Sequence, residues 1–334
     1  MSAALRVAVV GTRGQAERVA IPTIAASERT TLAGVLGSSP ERTAAVADRL
    51  GVRAHHSLGT LADDDGVDAV WLTAPNHLHA SMATTLLQAG VDVLLEKPRA
   101  IDTGEAAALA DVAATPPATL RVAYQHRFRP AHECLRRQVV SGELGEPRRL
   151  RVHRNWRFPY FDEPPGTEPS AWRSSPETSG GWAVNDLGCH LVDLALWLTG
   201  ARSVTVLDAV FTREFPGVRN DTSAFLSLRM GEACVAGVEC SNVLASPGSL
   251  VELYSHSCWA RLTDSFSQAA TSATSVEPDP VVTAGGDPYL RMLDDFVGAC
   301  RGEPSTGATA DEALLNVVAV QTARAGGRYL EDLP

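Results

Sequence analysis

The sequence predicts an α/β fold in two parts: an N-terminal doubly wound parallel sheet, then a C-terminal α+β domain with a largely antiparallel sheet. In the first third of the chain, near-continuous apolar runs alternate with helical stretches, a pattern typical of parallel strands covered by helices. Beyond residue 123, successive strands are separated by short turns, which favours antiparallel pairing. A chain of 334 residues also exceeds what one hydrophobic core usually fills. We therefore expect two domains, residues 1–122 and 123–334.

The expected elements of the first domain alternate between strand and helix along the chain. Strands are predicted at Leu5 to Val10, Thr31 to Leu36, Ala69 to Thr73, Val91 to Leu95 and Thr119 to Ala123. Helices are predicted near Gln15 to Ser27, Pro40 to Leu50, His79 to Ala89 and Thr103 to Ala113.

The second domain begins with a helix near Ala131 to Ser141. Strands are then expected at Arg149 to Trp156, Ser203 to Phe211, Ala224 to Arg229, Cys234 to Glu239, Leu250 to Tyr254 and Trp259 to Thr263. The segment from Gln268 to Gly286 is rich in small residues and low in pattern, so we expect a surface loop there. Helices near Pro288 to Cys300 and Ala310 to Arg324 close the chain.

The composition argues against several classes of partner. The formal charge is −10 and no stretch concentrates basic residues among aromatic ones, so we expect no nucleic-acid surface. The six cysteines form no C-x-x-C pair, and His55 with His56, like His77 with His79, point to different sides. We therefore expect no metal site and a reducing, cytoplasmic setting. Neither a leader segment nor a membrane span is expected.

One lysine is notable for its rarity. Of the 29 cationic residues, only Lys97 is not arginine, and an ammonium shifts its pKa readily when buried, whereas a guanidinium stays charged. Lys97 follows the strand predicted at Val91 to Leu95, and ligands of doubly wound sheets bind at the carboxyl ends of the strands. We expect Lys97 on the ligand side of the sheet, with a role in proton chemistry. The alternative is a residual lysine on a surface turn.

A near match to the dinucleotide fingerprint G-x-G-x-x-G/A follows the first predicted strand. It reads Gly11, Thr12, Arg13, Gly14, Gln15 and Ala16. Gly11 fits the tight turn and Ala16 the close helix–strand contact, whereas Arg13 replaces the glycine that lets backbone approach the pyrophosphate. Gly14 would shift the turn to compensate. The position favours a Rossmann dinucleotide site, and the alternative is a strand-to-helix turn without a ligand.

The end of the second predicted strand bears on which dinucleotide is bound. An NAD site usually has an acidic residue there, whereas this chain has Ser38, Ser39 and Arg42. Two hydroxyls and an arginine suit a 2′-phosphate, so NADP is favoured, with NAD possible. The alternative is that Ser39 and Pro40 simply start a helix. Both interpretations can hold, because a helix N-terminus also binds anions.

A polar helix stripe follows Gly180 and Gly181. At about 100° per residue on a helix, Asp186, His190, Asp193 and Trp197 fall on one stripe, while leucines form another. Histidine is the side chain best suited to proton transfer near neutral pH, and a carboxylate beside it stabilises its cation. The alternative is a solvated helix face.

These residues together resemble the Gfo/Idh/MocA family, which includes glucose–fructose oxidoreductase and inositol dehydrogenase. The resemblance covers nearly the whole chain. It rests on the glycine loop and on the segments Thr73 to His79, Glu96 to Pro98, Val122 to Phe128, Ser141 to Gly145, Trp172 to Arg173 and Gly180 to Asp193. The Glu-Lys-Pro motif combined with the Asp-x-Gly-x-His run of Asp186 to His190 is its specific part.

The resemblance implies reversible hydride transfer between a nicotinamide and a carbinol carbon of a sugar, cyclitol or related polyol. Lys97, Asp186 and His190 match the family's catalytic residues. His190 would exchange a proton with the substrate oxygen, Lys97 would donate to that oxygen or to the nicotinamide ribose, and Asp186 would bind a neighbouring hydroxyl and tune His190. Besides the glycine loop, Ser38, Ser39 and Arg42, the expected cofactor residues are Thr73, Pro75, Asn76, His77, Glu96, Lys97, Pro98 and Gln125.

Substrate recognition is expected next to this set. Tyr124, Gln125 and Arg127 would line the nicotinamide end, and Lys97, Asp186 and His190 would themselves contact substrate. In the loop before the catalytic helix, Trp156, Arg157, Tyr160, Trp172 and Arg173 suit an oxygen-rich ring, and Arg154 with Arg157 and Arg173 suits a carboxylate or phosphate. The alternative is that these residues seal the surface between the domains.

Two other functions remain open at this stage. A nicotinamide-dependent glycosidase of the same family would retain NAD tightly, which the NADP-like strand end disfavours. A non-catalytic cofactor-binding protein would more naturally have lost Lys97 or His190. The resemblance also implies a homodimer or homotetramer formed through the open face of the second sheet.

Overall fold

A computed structural model describes residues 3–115, 117–157, 171–173, 175–214, 218–246, 248–266, 272–276, 280–283 and 286–331. The chain divides into two compact units, Met1–Gln125 with Pro288–Leu314, and His126–Asp287 with Leu315–Pro334. No helix in the described part of the chain is long and apolar enough to cross a membrane.

The described elements are numbered in chain order. The strands are β1 Leu5–Val10, β2 Thr30–Leu36, β3 Arg53–Ala54, β4 Ala69–Leu72, β5 Asp92–Leu95, β6 Leu120–Val122, β7 Arg149–Asn155, β8 Val204–Arg213, β9 Ser223–Met230, β10 Cys234–Ser241, β11 Leu250–Tyr254, β12 Trp259–Thr263, β13 Ser272–Val276, β14 Pro280–Thr283 and β15 Arg328–Glu331. The helices are α1 Ile21–Ala26, α2 Pro40–Leu50, α3 Leu58–Ala62, α4 His79–Gln88, α5 Thr103–Ala113, α6 Pro130–Val140, α7 Pro176–Ser179, α8 Cys189–Thr199, α9 Pro288–Cys300 and α10 Ala310–Gly326.

The first unit contains a six-stranded parallel sheet in the order β3-β2-β1-β4-β5-β6. Its central strands are apolar and buried along almost their whole length, as expected when helices cover both faces. The pairing sets Val10 beside Leu72, and Leu72 beside Leu95. The residues after these three strands therefore leave the sheet at the same edge.

The second unit contains a nine-stranded sheet in the order β14-β13-β12-β11-β7-β10-β9-β8-β15. Its pairs are antiparallel except β10 with β7 and β15 with β8, which are parallel. Along β10, Cys234, Ala236, Val238 and Cys240 are buried while Val235 is exposed. This alternation gives the sheet one face packed under helices, including α8, and one open face.

The predicted fold class is confirmed, and most predicted elements lie within a residue or two of the observed ones. The expectation of a surface loop from Gln268 to Gly286 is wrong, because β13 and β14 lie there and pair with each other and with β12. Their small side chains carry little hydrophobic pattern, and hydrogen bonding at a sheet edge defines them instead. The prediction also missed β3, α3 and β15, which are short.

His132 on α6 is a buried polar group in the second unit. Its Nδ1 lies 2.7 Å from the His126 carbonyl oxygen and its Nε2 2.8 Å from Ser265 Oγ. A neutral imidazole satisfies both contacts, donating to the carbonyl and accepting from the hydroxyl. Burial lowers the pKa of His132 to about 3. The fold therefore holds this side chain uncharged at neutral pH.

We predict that His132 makes the protein sensitive to acid. Its pKa is depressed in the folded chain, so below about pH 6.5 only the unfolded chain takes up the proton, and stability is lost as pH falls towards 3. At pH 5 the loss from this group is about 2 kcal/mol. Denaturant titrations at pH 7 and 5 should show a smaller pH-dependent loss for His132→Gln than for wild type, whereas the exposed control His56→Gln should behave as wild type. An equal loss in all three proteins would contradict this account.

Candidate functional site

The turn after β1 has the backbone of a dinucleotide loop. Gly11 has φ 133° and Gly14 has φ 56°, conformations that L side chains rarely adopt. A Cβ at Gly11 would overlap Thr73 Oγ1 and lie 3.1 Å from the Ala16 Cβ. Arg13 between them is exposed. Glycine is thus required at 11 and 14, and the side chain at 13 extends away from the tight part of the turn.

The end of β2 starts a helix and also contacts the glycine loop. Ser39 Oγ accepts the Arg42 backbone N–H at 3.3 Å, which makes Ser39 the N-cap of α2. The Arg42 guanidinium donates to the Thr12 carbonyl oxygen at 2.9 Å and pairs with Glu17 at 3.0 Å. The helix-start interpretation therefore describes Ser39 correctly, and Arg42 lies against the glycine loop. A role of Arg42 in binding a 2′-phosphate stays a prediction. Ser38 is exposed beside them.

The loop after β5 is fixed through Glu96. This buried carboxylate accepts from Gln15 Nε2 at 3.2 Å and from Trp71 Nε1 at 3.3 Å. Burial raises its pKa, and the ammonium of neighbouring Lys97 opposes that shift. Lys97 itself is half-buried and precedes a cis peptide bond to Pro98. Glu96 therefore connects the glycine loop to the segment that carries the lysine.

His79 connects that segment to the loop after β4. Its Nδ1 lies 2.7 Å from the Pro98 carbonyl oxygen and its Nε2 2.6 Å from that of Ala74. Burial lowers the pKa of His79 to about 4, so at neutral pH the ring has one N–H and donates to one carbonyl at a time. Asn76 and His77 lie between these points on a 3₁₀ turn.

Two further predicted residues of this unit are buried. Gln125 donates through Nε2 to the Tyr289 hydroxyl at 3.1 Å. Tyr124 is almost fully buried. A contact of either residue with the nicotinamide stays a prediction.

In the second unit, the Asp186 and His190 segment is wound unevenly. Val184–Gly188 forms a π-helical turn that continues into α8. A regular α-helix is expected from the sequence, so the spacing of Asp186 from His190 differs from that expectation. The alternative of a solvated face is wrong, because His190 is 5% exposed and Asp193 is buried.

Asp221 caps the start of this segment. Its carboxylate accepts the backbone N–H of Trp182 at 3.0 Å and of Val184 at 2.7 Å. Gly181 has φ 117°, and a Cβ there would lie 3.0 Å from Asp221 Oδ1 and 2.8 Å from Arg324 Nε. The Gly180–Gly181 signal in the sequence therefore reflects close approach of this carboxylate and guanidinium to the backbone.

His190 packs against a second histidine. The His126 ring lies edge-on to it, with centroids 4.7 Å apart. Arg129 Nε is 2.9 Å from His126 Nδ1, and Arg154 Nη1 is 3.0 Å from its Nε2. Burial, followed by the charges nearby, lowers the pKa of His126 well below its usual value. His190 therefore has an uncharged ring as its neighbour.

Arg127 and Asp193 form a buried pair. Arg127 Nε and Nη2 donate to the two Asp193 carboxylate oxygens at 2.9 and 2.6 Å, and both side chains are 2% exposed. Asp193, expected on the stripe with His190, is thus held by a guanidinium. Arg127, expected to bind substrate, joins the residues before α6 to α8, and a contact of Arg127 with substrate stays a prediction.

The aromatic and arginine residues predicted for substrate lie in stacked pairs. The Arg173 guanidinium lies 4.3 Å from the Trp172 ring centroid, and that of Arg154 lies 4.9 Å from the Trp156 centroid. Arg157 is exposed, and Tyr160 lies outside the described residues. Among the residues that the structure describes, no group of His, Cys, Asp and Glu side chains could hold a metal ion.

Sequence reasoning missed Asp221, His126 as a neighbour of His190, and His79 as a link between loops. Asp221 is 35 residues from Asp186 along the chain, and no spacing rule connects them. The Gly180–Gly181 pair before the π-helical turn was the sequence feature that indicated close approach of another group to the backbone there.

Comparisons with known proteins agree with these features. A family model described as "Oxidoreductase family, NAD-binding Rossmann fold" matches residues 5–124. A second model, the GFO/IDH/MocA C-terminal domain, matches residues 132–258.

Two relatives are similar in sequence to this chain over more than half of its length. The D-xylose 1-dehydrogenase (NADP(+)) 2 of Haloferax volcanii is 33% identical over 62% of this chain and 61% of its own length. The rhizopine catabolism protein MocA of Rhizobium meliloti is 26% identical over 82% and 80%. The chain thus matches less than two thirds of the first of these relatives.

A crystal structure of KijD10, a 3-ketoreductase from Actinomadura kijaniata in complex with NADP and TDP-benzene, superposes with a TM-score of 0.82 at 21% identity. It covers 98% of this chain and 99% of that one, and at this identity the likeness shows the fold. Because two models of one family match consecutive parts that make up more than half of the sequence, the chain belongs to the GFO/IDH/MocA family of NAD(P)-dependent oxidoreductases.

Proposed function

We propose that this chain is an NADP-dependent dehydrogenase or reductase acting on a carbinol or keto carbon of a sugar, cyclitol or related polyol. Family membership supports the reaction class, and relatives named as D-xylose and UDP-N-acetylglucosamine dehydrogenases support the substrate class. The observation that carries the proposal is the position of Lys97, the one lysine of the chain, beside the buried Glu96 where β5 ends.

The first unit fits a dinucleotide. A Cβ at Gly11 would overlap Thr73 Oγ1, and a Cβ at Gly37 would lie 2.5 Å from Thr12 Oγ1, so glycine at both positions allows the close packing of loop and strand ends that a dinucleotide turn requires. We propose residues 1–122 as the NADP-binding domain, with the glycine loop, the loop after β4 and Glu96 to Pro98 holding the cofactor. When bound, the nicotinamide supplies or accepts the hydride. Arg42 and Ser38, next to the loop, would receive the 2′-phosphate.

The second unit supplies a proton-exchange group, and we propose residues 123–334 as the substrate-binding and oligomerisation domain. His190 would pass a proton to or from the substrate oxygen, since a histidine serves as acid and base near neutral pH. His126, held uncharged beside it, adds no repulsion when His190 becomes a cation. Asp186, half-buried one turn earlier, would bind a neighbouring hydroxyl, and Lys97 would donate to the reacting oxygen.

The open face of the second sheet supports a homodimer or homotetramer. Phe225 on β9 and Val235 on β10 are large apolar residues exposed on adjacent strands, as are Leu207 on β8 and Leu330 on β15. Such side chains are buried in oligomers when strands of two copies pack face to face.

The proposed reaction can be tested directly. We expect purified protein to change nicotinamide absorbance with NADP and a panel of aldoses and polyols that includes D-xylose, or with NADPH and keto-sugars. No turnover over the whole panel, together with tightly retained NAD, would contradict the proposal and favour the glycosidase.

Lys97→Arg should fold and bind cofactor but lose about 100-fold or more in kcat. The positive charge survives, but the compact ammonium and its tunable proton do not. Initial rates give kcat, and titrations with cofactor give its dissociation constant. Lys97 is the one residue changed, and Arg99 and its neighbours stay as they are. Near-normal kcat would remove Lys97 from the catalytic set.

Asp221→Asn should reduce kcat by about tenfold or more with an unchanged dissociation constant for NADP. The backbone N–H groups of Trp182 and Val184 both lose their charged acceptor, and one of them faces an amide NH2 group instead. Hydrogen bonds to charged groups contribute about 1.5–3 kcal/mol. If Asp221 positions His190, the pH profile of kcat should also shift, which a general loss of stability would not cause. The control is Asp208→Asn, an exposed carboxylate paired with Arg328. An unshifted profile would assign Asp221 a structural role alone.

Replacing Ser38 and Arg42 by alanine should reduce the preference for NADP over NAD by about tenfold or more, since about 1.4 kcal/mol corresponds to a tenfold change. Arg49→Ala is the matched control, because Arg49 pairs with the same Glu17 as Arg42. The ratio of kcat/KM values for the two cofactors measures the preference. The same ratio in all three proteins would rule out these residues as the 2′-phosphate site.

A further inference from the structure

Asn242, which follows β10, is a buried amide with its hydrogen-bonding capacity unused. The side chain is 0% exposed, and neither Oδ1 nor Nδ2 has a hydrogen-bond partner among the described residues. Its backbone N–H is satisfied, donating to the Thr222 carbonyl oxygen at 3.0 Å. Buried side-chain amides are normally paired, because an unpaired one has given up water without compensation. An unpaired donor and acceptor on one side chain therefore need an explanation.

The position of Asn242 in the sheet relates it to the proposed catalytic segment. Asn242 lies directly after β10, and Cys240, Ser241 and Asn242 are all buried. Cys240 Sγ donates to the Ala183 carbonyl oxygen at 3.4 Å and lies 3.3 Å from where a Gly188 Cβ would be. Cys240 is thus in contact with both ends of the π-helical turn. Asn242 follows two residues later along the chain, next to the strand end that contacts the turn carrying Asp186 and leading to His190.

The strand on the other side of β10 connects this region to His190. Arg154 on β7 is the register partner of Cys240. Its guanidinium lies 3.0 Å from His126 Nε2, and the His126 ring packs against His190. The Trp156 backbone N–H then donates to the Ser241 carbonyl oxygen at 2.8 Å, so the pairing of β7 with β10 continues to the level of Asn242.

We infer that Asn242 recognises hydroxyl groups of the substrate, with Nδ2 donating to one hydroxyl and Oδ1 accepting from its neighbour on the same ring. The inference rests on the proposed function. An amide offers one acceptor and two donor hydrogens, and a vicinal diol can complement both kinds at once, whereas an anion uses the donors alone. Because the side chain is 0% exposed in the free chain, substrate binding must open access to the amide.

If Asn242 binds substrate, its unpaired amide should lower the stability of the ligand-free protein. If the amide is held unpaired for a ligand, an apolar side chain of similar size should make the ligand-free protein more stable. We expect Asn242→Leu to raise the Tm by about 2 °C or more. The control is Asn316→Leu, because Asn316 is equally buried but donates to the Cys189 carbonyl oxygen at 2.6 Å, and this variant should have a lower Tm.

The substrate arm uses the sugar of the panel that wild type turns over best with NADP. Asn242→Leu should raise KM for that sugar at least tenfold while the dissociation constant for NADP stays unchanged. Deoxy sugars that each lack one hydroxyl identify the contact. With wild type, one of them should raise KM about as much as Asn242→Leu raises it for the complete sugar. With Asn242→Leu, the KM for that deoxy sugar should rise no further.

Three outcomes would overturn the inference. A lower Tm of Asn242→Leu would show that the amide supports the fold. Turnover by wild type with an unchanged KM in Asn242→Leu would exclude substrate recognition and leave the proposed function intact. Absence of turnover by wild type on the whole panel would overturn the proposed function, and this assignment with it.

Discussion

The parallel register of β1, β4 and β5 is the constraint on which the first unit depends. The hydrogen bonding between neighbouring strands continues one residue past the strand ends. The Gly11 N–H donates to the carbonyl oxygen of Leu36, the Thr73 N–H to that of Val10 and the Glu96 N–H to that of Leu72. The three loops therefore leave the sheet as fixed backbone. Polar side chains can then be positioned there accurately, because the strands beneath them are buried and do not slide. Glu96 and His79 connect loops that the sheet has already aligned.

The second unit solves a different problem, that of keeping polar groups inside a packed sheet and helix layer. Desolvation favours uncharged forms, so the pKa values of His126 and His132 are both lowered. The His126 backbone carbonyl and Ser265 complete the hydrogen bonds of His132, whereas Arg129 and Arg154 lie against the two ring nitrogens of His126. Among the described residues of this unit, Arg127 forms an ion pair with Asp193, and the Asp221 carboxylate accepts backbone N–H groups. An unpaired buried charge would be strongly destabilising, which is why each such residue has a specific geometric partner.

The sequence predicted the elements whose pattern is local. Apolar runs indicated the central strands, and the Glu-Lys-Pro and Asp-x-Gly-x-His motifs indicated Lys97, Asp186 and His190 as candidate catalytic residues. It failed for β13 and β14, which are defined by edge hydrogen bonds and have little hydrophobic pattern. It also could not find contacts such as Asp221 with the π-helical turn, because these follow from strand register between distant segments. The sequence pattern could not predict the π-helical turn, since periodicity arguments assume about 100° per residue.

Asp221 and Asn242 show how the same sheet end treats two buried polar side chains differently. Both lie where β9 and β10 meet the segment carrying Asp186. The Asp221 carboxylate is fully used by backbone donors, so its position is determined by the fold and its effect on a reaction can only be indirect. The Asn242 amide contributes nothing to the fold through its side-chain polar atoms. An unpaired polar group in a packed interior lowers the stability of the fold, and proteins retain such groups at sites that bind ligands. The difference in pairing therefore separates a residue that shapes the site from one that is available to a ligand.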